Sequence, residues 1–348
     1  MDGLLIVDKP DGPTSHDVVS RIRRALRERR IGHTGTLDPA ATGVLLLVVG
    51  RATRLAKFLS ASDKSYDAVV RLGFSTDTAD GEGERIGSVW QGPLPSRDAI
   101  DGALDGFRGT FLQQPPAFSA KKIEGKRSYK LARANARAAA DALKPSPYAL
   151  RALPDPRDLP DPHDLPDRPD PHDRPDLPVL PAPARVTAHR LEIVSIEADC
   201  VTLRVDCSAG FYVRSLAHDL GQRLGTGAHL AGLRRTRTGD FTVDQAVSLE
   251  TAERDPQHAI DAMIPLADML PGLASITLTA EGVLRAIHGR ELDIQKGLGI
   301  SESGSAIGDS GWVRDSGFVR LLDQSGQLVG IGEPTDAPGI LHPSVVLV

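Results

Sequence analysis

Residues 32–54 read GHTGTLDPAATGVLLLVVGRATR, and the residue in them that can do chemistry is Asp38. It stands between Leu37 and Pro39, in a loop of glycine and threonine that runs straight into an apolar stretch. The segment supplies no second carboxylate, no metal-ligand spacing and no histidine triad. A single ionised carboxylate can attack an electrophilic carbon or take a proton. It cannot hydrolyse a glycoside in the usual way, which needs a second acid roughly 5–10 Å away. The plainer reading is an Asx turn, with the carboxylate capping the backbone beyond it and Pro39 fixing φ. An acid that only caps a turn, however, has no need of Gly32, Gly35, Gly43 and Gly50 around it. Glycines so spaced let backbone, or a ligand, approach backbone closely.

The elements that must hold this loop follow from periodicity. GLLIVD at 3–8 predicts a short strand, and TSHDVVSRIRRALRERR a helix opened by a Thr14-x-x-Asp17 capping box. Val18, Val19, Ile22, Ala25 and Leu26 share that helix's apolar face, and the other face is mostly arginine. VLLLVVG lacks alternation and ends at Gly50, as a strand buried on both faces does. RATRLAKFL predicts a helix with Ala52, Leu55, Ala56 and Leu59 as its stripe. YDAVVRLG alternates, so Tyr66, Ala68, Val70 and Leu72 line one face of a strand. LEIVSIE and VTLRVDCS predict paired strands that turn at Glu197–Asp199. FYVRSLAHDLGQRLG predicts a helix with Val213, Leu216, Ala217, Leu220 and Leu224 inward. Strands and helices mix without βαβ alternation, which predicts an α+β architecture around one large sheet.

A chain of 348 residues is long enough for two domains. No apolar run approaches the roughly 20 residues that span a bilayer, and MDGLLIVDKPDG lacks the basic start and cleavage site of a signal peptide. Cys200 and Cys207 form no CxxC pair. The expectation is a cytoplasmic protein with reduced thiols and no membrane contact.

The net charge of −5 conceals an uneven distribution. Residues 154–178 hold eight aspartates and three arginines, and residues 249–348 hold fourteen acids and six bases, which leaves +8 for everything else. A basic body permits nucleic-acid binding by counterion release. Residues 145–183 contain 13 of the 26 prolines, with aspartate at every third position from Asp155 to Asp176. That composition forms neither helix nor central strand, and predicts an extended, solvated insertion. His163 and His172 beside its aspartates read as low-complexity sequence rather than a metal site. Beyond residue 248 the pattern becomes a helix and several short strands, interrupted by GLGISESGSAIGDSG.

Five segments together resemble one family. GHTGTLDPAATGVLLLVVGRATR is similar to the catalytic motif of the TruB-type tRNA pseudouridine synthases, and LLIVDKPDGPTSHDVVSRIRR to their N-terminal motif. KSYDAVVRLGFSTDTADGEG resembles the tyrosine strand and the Thr-Asp loop after it, QQPPAFSAKKIEGKRSYKLAR the entry to the bacterial thumb loop, and SAGFYVRSLAHDLGQRLGTGAHLAGLRRTRTG the arginine motif. They fall in the family's order over most of residues 3–248.

The resemblance implies a pseudouridine synthase fold, a central mixed or antiparallel sheet flanked by helices. It places the catalytic domain at 1–247, with a basic thumb at about 119–140, and a small, mostly-β PUA-like domain at 248–348. It implies isomerisation of the T-loop uridine, position 55, in tRNA. No cofactor or metal is needed, because the uracil is first leaving group and then nucleophile. Asp38 becomes the catalytic acid, acting at sugar or base. Tyr66, by itself a plausible core aromatic, becomes the ring that stacks on the uracil and takes the proton from C5. Arg214, off its helix's apolar stripe, becomes the counterion of Asp38. Tyr212 walls the pocket, and His33 inserts into an RNA loop whose bases are flipped out. Asp80 lies near bound RNA; TDTAD lacks the spacing of a calcium loop. Lys121, Lys122, Lys126 and Arg127 grip phosphates together with Lys130 and Arg133. The partner is the tRNA T loop and T stem, bound by a monomer with no protein partner. A role as tRNA folding chaperone is compatible with the same residues. The rival reading is the catalytic subunit of a guide-RNA-dependent complex, against which the bacterial-type SAKKIEGKRSYKLAR argues. The acidic tract beside an RNA-facing surface, and the −8 charge of the C-terminal module, depart from the family's pattern.

Overall fold

The computed structural model describes residues 1–116, 122–123, 126–127, 181–293, 317–337 and 339–347. The chain opens with β1 (Gly3–Lys9), α1 (Ser15–Leu26), β2 (Ile31–Thr34), β3 (Ala41–Val49), α2 (Ala56–Ser60) and β4 (Lys64–Leu72). Next come the short pair β5 (Ser75–Thr76) and β6 (Arg85–Ile86), α3 (Arg97–Leu104), β7 (Gly109–Gln113), and the short pair β8 (Lys122–Ile123) and β9 (Lys126–Arg127). They are followed by β10 (Ala184–Glu197), β11 (Cys200–Cys207), α4 (Val213–Leu224), β12 (Ala228–Thr238), β13 (Phe241–Thr242), β14 (Val247–Ser248), α5 (Leu249–Arg254) and α6 (Pro256–Asp261). The last elements are β15 (Ser275–Thr277), α7 (Ala280–Ile287), β16 (Leu292–Asp293), β17 (Val319–Leu322), β18 (Leu328–Pro334) and β19 (Ile340–Val346). The fold is α+β, as expected. The proline/aspartate tract lies outside the described residues, apart from its last three, 181–183.

The chain divides into two compact units. One comprises Met1–Pro39, Gly43–Ala61 and Thr238–Val348; the other comprises Ala40–Thr42 and Ser62–Arg237. In the first unit β1 runs antiparallel to β3 and parallel to β14. β2 pairs antiparallel with the C-terminal half of β3. Every residue of β3 from Val44 to Val49 is buried, which is why its sequence shows no alternation. Val44, Leu46 and Val48 share a core with Leu4 and Ile6 of β1, Ala52, Leu55 and Leu59, and with Leu328, Ile331 and Leu347 near the C-terminus. The five C-terminal strands form a sheet in the order β15-β17-β18-β19-β16, with a second core of Ile276, Val319, Leu321 and Leu341 beneath α7.

α1 forms as its sequence predicts. Thr14 Oγ1 accepts from the Asp17 amide, and the Asp17 carboxylate accepts from the Thr14 amide, so both halves of the capping box are made. Ser15, Val18, Val19, Ile22 and Leu26 are its buried residues. RATRLAKFL departs from expectation. It is a 3-10 helix over Gly50–Leu55 followed by the five-residue α2, and Thr53 Oγ1 donates to the Gly50 carbonyl, 2.8 Å away, in the tight first turn.

In the second unit the strands run β12-β4-β11-β10-β7. β10 and β11 form the expected hairpin, closed through Ala198 at φ 52°. Tyr66, Ala68, Val70 and Leu72 of β4 are all buried, and Tyr66 lies opposite Val205. The inward stripe of α4 is buried at Val213, Leu216, Ala217 and Leu220, while Leu224 is half-buried.

Gly50 ends β3 under two independent constraints. Its φ is +62°, and a Cβ there would lie 2.2 Å from the Met1 carbonyl oxygen and 2.3 Å from Asp2 Oδ1. Gly50→Ala is therefore expected to cost about 2–4 kcal/mol in a urea titration; a loss under about 1 kcal/mol would show that the N-terminus gives way freely.

Candidate active site

The loop that carries Asp38 is fixed on both sides of that residue. Before it, the Ser15 hydroxyl donates to the Leu37 carbonyl (3.0 Å) and accepts from the Leu37 amide (2.9 Å). After it, the Pro39 carbonyl accepts from Lys9 Nζ at 2.8 Å and from the Gly12 amide at 3.1 Å. Lys9 Nζ also donates to its neighbour's carbonyl, Pro10 O, at 2.9 Å. Lys9 is wholly buried and Ser15 almost so. The connection from the end of β1 to the start of α1 thus grips Leu37 and Pro39, and Asp38 is the half-buried residue between them. Asp38 does carry a glycine-rich frame, but Gly35 and Gly43 serve it by positive φ (81° and 98°). His33 precedes the loop on β2, half-buried, with its ring edge-on to that of His16 at 5.2 Å.

Tyr66, Asp80, Tyr212 and Arg214 belong to the second unit. Arg214 is buried rather than solvated, although it falls off the apolar stripe of α4. One of its guanidinium nitrogens lies 3.5 Å from Asp80 Oδ2, and the same nitrogen donates to Thr78 O at 3.4 Å. Asp80 is itself held by its TDTAD loop. Its Oδ1 accepts from Thr78 Oγ1 (2.5 Å) and the Glu82 amide (3.1 Å), and its carbonyl from Thr76 Oγ1 (2.6 Å). The loop is anchored to β12, where Leu230 donates to Ala79 O and accepts from the Gly81 amide, both at 3.0 Å.

Tyr212 occupies the N-cap of α4, and its backbone is gripped by a side chain 99 residues away. Gln113 Nε2 donates to Tyr212 O (3.0 Å), and Gln113 Oε1 accepts from the Tyr212 amide (2.8 Å). Ser215 Oγ donates to Gln114 O at 2.8 Å. The end of β7 therefore sets the turn from which Arg214 projects. Sequence reasoning missed Lys9, Ser15, Gln113 and Ser215. The signal available was their place inside the KPDGPTS, QQPP and YVRS segments.

Lys64 lies two residues before Tyr66 on β4, opposite Cys207. Burial, reinforced by the charge of Arg235, lowers its ammonium to about 8. Burial pushes the Cys207 thiol up to about 12, so it stays protonated and unreactive. Of the phosphate-gripping candidates, Lys121 lies outside the described residues, as do Lys130 and Arg133. Lys122, Lys126 and Arg127 sit on β8 and β9, with Lys122 paired to Arg127 in register.

The architecture matches chains of solved assemblies. A chain of the H/ACA RNP bound to a substrate RNA containing 2'-deoxyuridine superposes with a TM-score of 0.64 at 24% identity, over 99% of this chain and 85% of that one. A chain of the Cbf5-Nop10-Gar1 complex does so at 0.63, also at 24% identity, over 99% and 84%. The fold is that of the pseudouridine synthases.

Sequence comparison narrows the class. Residues 23–153 match the TruB family pseudouridylate synthase N-terminal domain, and residues 214–268 the tRNA pseudouridylate synthase B C-terminal domain. The chain is 38% identical to tRNA pseudouridine synthase B of Solibacter usitatus over the full length of both. It is 34% identical to that of Pseudomonas aeruginosa over 97% of this chain and 93% of the relative. With the Corynebacterium diphtheriae protein of the same name it shares 40% over 78% and 79%. The chain belongs to the TruB family.

Two predictions follow from the geometry. Ser15→Ala removes both side-chain bonds to Leu37, so isomerisation of uridine should slow about 10–100-fold through lost positioning, with RNA affinity changed less than about twofold. Equal losses in both would make Ser15 a general structural residue. Lys64 binds fewer protons folded than unfolded between its lowered value of about 8 and its ordinary 10.5. The stability of wild type relative to Lys64→Met should therefore rise across that window, by on the order of 1–3 kcal/mol. A difference flat with pH in thermal melts would contradict the desolvation of the amine.

Proposed function

We propose that this chain is a stand-alone tRNA pseudouridine synthase that isomerises the T-loop uridine, position 55. The observation that carries the reading is a single aspartate clamped on both flanks, in a chain aligned end to end with a tRNA pseudouridine synthase B. In the reaction the N1–C1′ bond breaks, the uracil turns, C5 bonds to C1′, and the C5 proton leaves while N1 regains one. One carboxylate suffices, and the chemistry calls on no cofactor or metal.

In this reading Asp38 is the reacting acid and Arg214 its counterion, shared with Asp80. Tyr66 stacks on the flipped uracil and accepts the C5 proton. Tyr212 bounds the pocket, His33 enters the RNA loop, and Lys121, Lys122, Lys126 and Arg127 hold phosphates. The C-terminal strands serve as a PUA-like module for the same tRNA. The curated relatives at 34–40% identity favour this reading over a guide-RNA-dependent subunit, whose resemblance is one of fold. No described helix is long and apolar enough to cross a membrane. The proposed enzyme works as a monomer in the cytoplasm.

The test is tritium release from 5-tritiated uridine in unmodified tRNA, with purified protein and no guide RNA. Wild type should release one tritium per modified uridine; none would overturn the stand-alone reading. Asp38→Ala should abolish release while tRNA affinity stays within a few-fold, whereas loss of binding would make the aspartate structural. Deleting residues 154–178 should leave turnover within about threefold; a collapse would mean the acidic tract takes part.

A further inference from the structure

The arginine face of α1 has no part in the site described above, yet it is organised. His16, Ser20, Arg23, Arg24 and Arg27 are all exposed. They fall at helical spacing along one face, opposite the buried stripe. Arg29 and Arg30, also exposed, continue beyond the αL cap at Arg27. The stripe begins beside the proposed RNA-inserting residue, because His16 is the residue whose ring meets His33 at 5.2 Å. From His16 to Arg27 it covers about 16 Å at 1.5 Å per residue.

The plain alternative is a solvated charged face. Such faces normally interleave acids with bases, so that i,i+4 pairs support the helix. Here Arg23 stands four residues, and Arg24 three, before Arg27, which sets like charges against each other. The nearby acids are already engaged: Asp17 in the capping box with Thr14, Glu28 with the Arg30 amide at 2.8 Å, and Glu253 with Arg21 at 2.7 Å. Among the described residues, the guanidinium groups of Arg24, Arg27 and Arg29 are held by no hydrogen bond or ion pair. Arg23 is the exception, donating to Ile31 O. Five exposed arginines with so little local compensation suit a partner that brings negative charge at regular intervals. Guanidinium groups match phosphate in particular.

We infer that this face is a phosphate track, along which the backbone of the substrate RNA runs away from His33. This rests on the tRNA reading and extends the RNA contact beyond the catalytic loop and the thumb.

The experiment compares wild type with the triple variant Arg24→Gln/Arg27→Gln/Arg29→Gln, leaving Arg23 and Arg30 in place. Binding of unmodified tRNA is measured from about 50 to 200 mM salt, and tritium release at saturating tRNA. The variant should bind at least tenfold more weakly at the low-salt end. Its plot of log Kd against log salt should be shallower by about 2–3, the share of three lost phosphate contacts. Its kcat should stay within twofold of wild type, and the corresponding triple lysine variant should keep the wild-type salt slope. Wild-type affinity and slope in the glutamine variant would overturn the track and leave a solvated face. A fall in kcat with an unchanged slope would overturn it too, as a disturbance of the fold. If wild type itself neither bound nor turned over tRNA, the parent reading would fail first and the track with it.

Discussion

The constraint on which the rest depends is the grip of the β1–α1 connection on the residues flanking Asp38. Lys9 brings a cation into a wholly buried position, which is costly unless its protons are taken up by good acceptors. Two carbonyls take them, and one belongs to Pro39. Removing that carbonyl from reach would leave a buried ammonium short of an acceptor, so the lysine and the aspartate loop hold each other in place. Register makes the reach possible. Lys9 lies opposite Gly43 where β1 pairs with β3, and the strand's other end is fixed by Gly50 at a φ of +62°.

The second unit solves a different problem. Arg214 lies in the first turn of α4, where the helix dipole disfavours a cation, and it is buried as well. Local rules are thus broken twice at one residue, and the same helix also buries Ser215 and His218. Asp80 offsets the charge, and the TDTAD loop holds Asp80 with donors from Thr78 and the Glu82 amide. The side chain of Gln113 fixes the turn by satisfying both backbone groups of Tyr212. No one of these contacts is large, at about 1 kcal/mol net for a typical hydrogen bond. Their effect is to leave the arginine few conformations.

What could be read from the sequence was whatever a short window contains. The capping box of α1, the buried run of β3, the alternating face of Tyr66 and the β10–β11 hairpin all depend on residues within a few positions of one another. The positioning residues were not legible in that way. Ser15 reaches across 22 residues to Leu37, Lys9 across 30 to Pro39, and Gln113 across 99 to Tyr212. A serine at the start of a helix and a glutamine at the end of a strand look ordinary until the fold brings their partners to them. The burial of Arg214 was not legible for a related reason: it lies off the apolar stripe, and the Thr78 carbonyl that accepts from it is 136 residues away in the chain.

A reaction run by one carboxylate, as proposed here, also changes what the protein must control. An enzyme with two acids can set their roles by pushing their pKa values apart. With a single acid there is no second group to set against it, and on the proposed reading rate depends on where the carboxylate sits relative to the sugar and the base. Misplacement by about 1 Å can cost on the order of 100-fold in rate. The framework fits that demand, since its hydrogen bonds go to the backbone of Leu37 and Pro39, on both sides of Asp38. Fixing the flanking backbone keeps the origin of the Asp38 side chain from wandering. If Asp38 is the reacting acid, as proposed, its isolation in the sequence follows from the chemistry, and the buried lysine and serine supply the placement that a solitary acid needs.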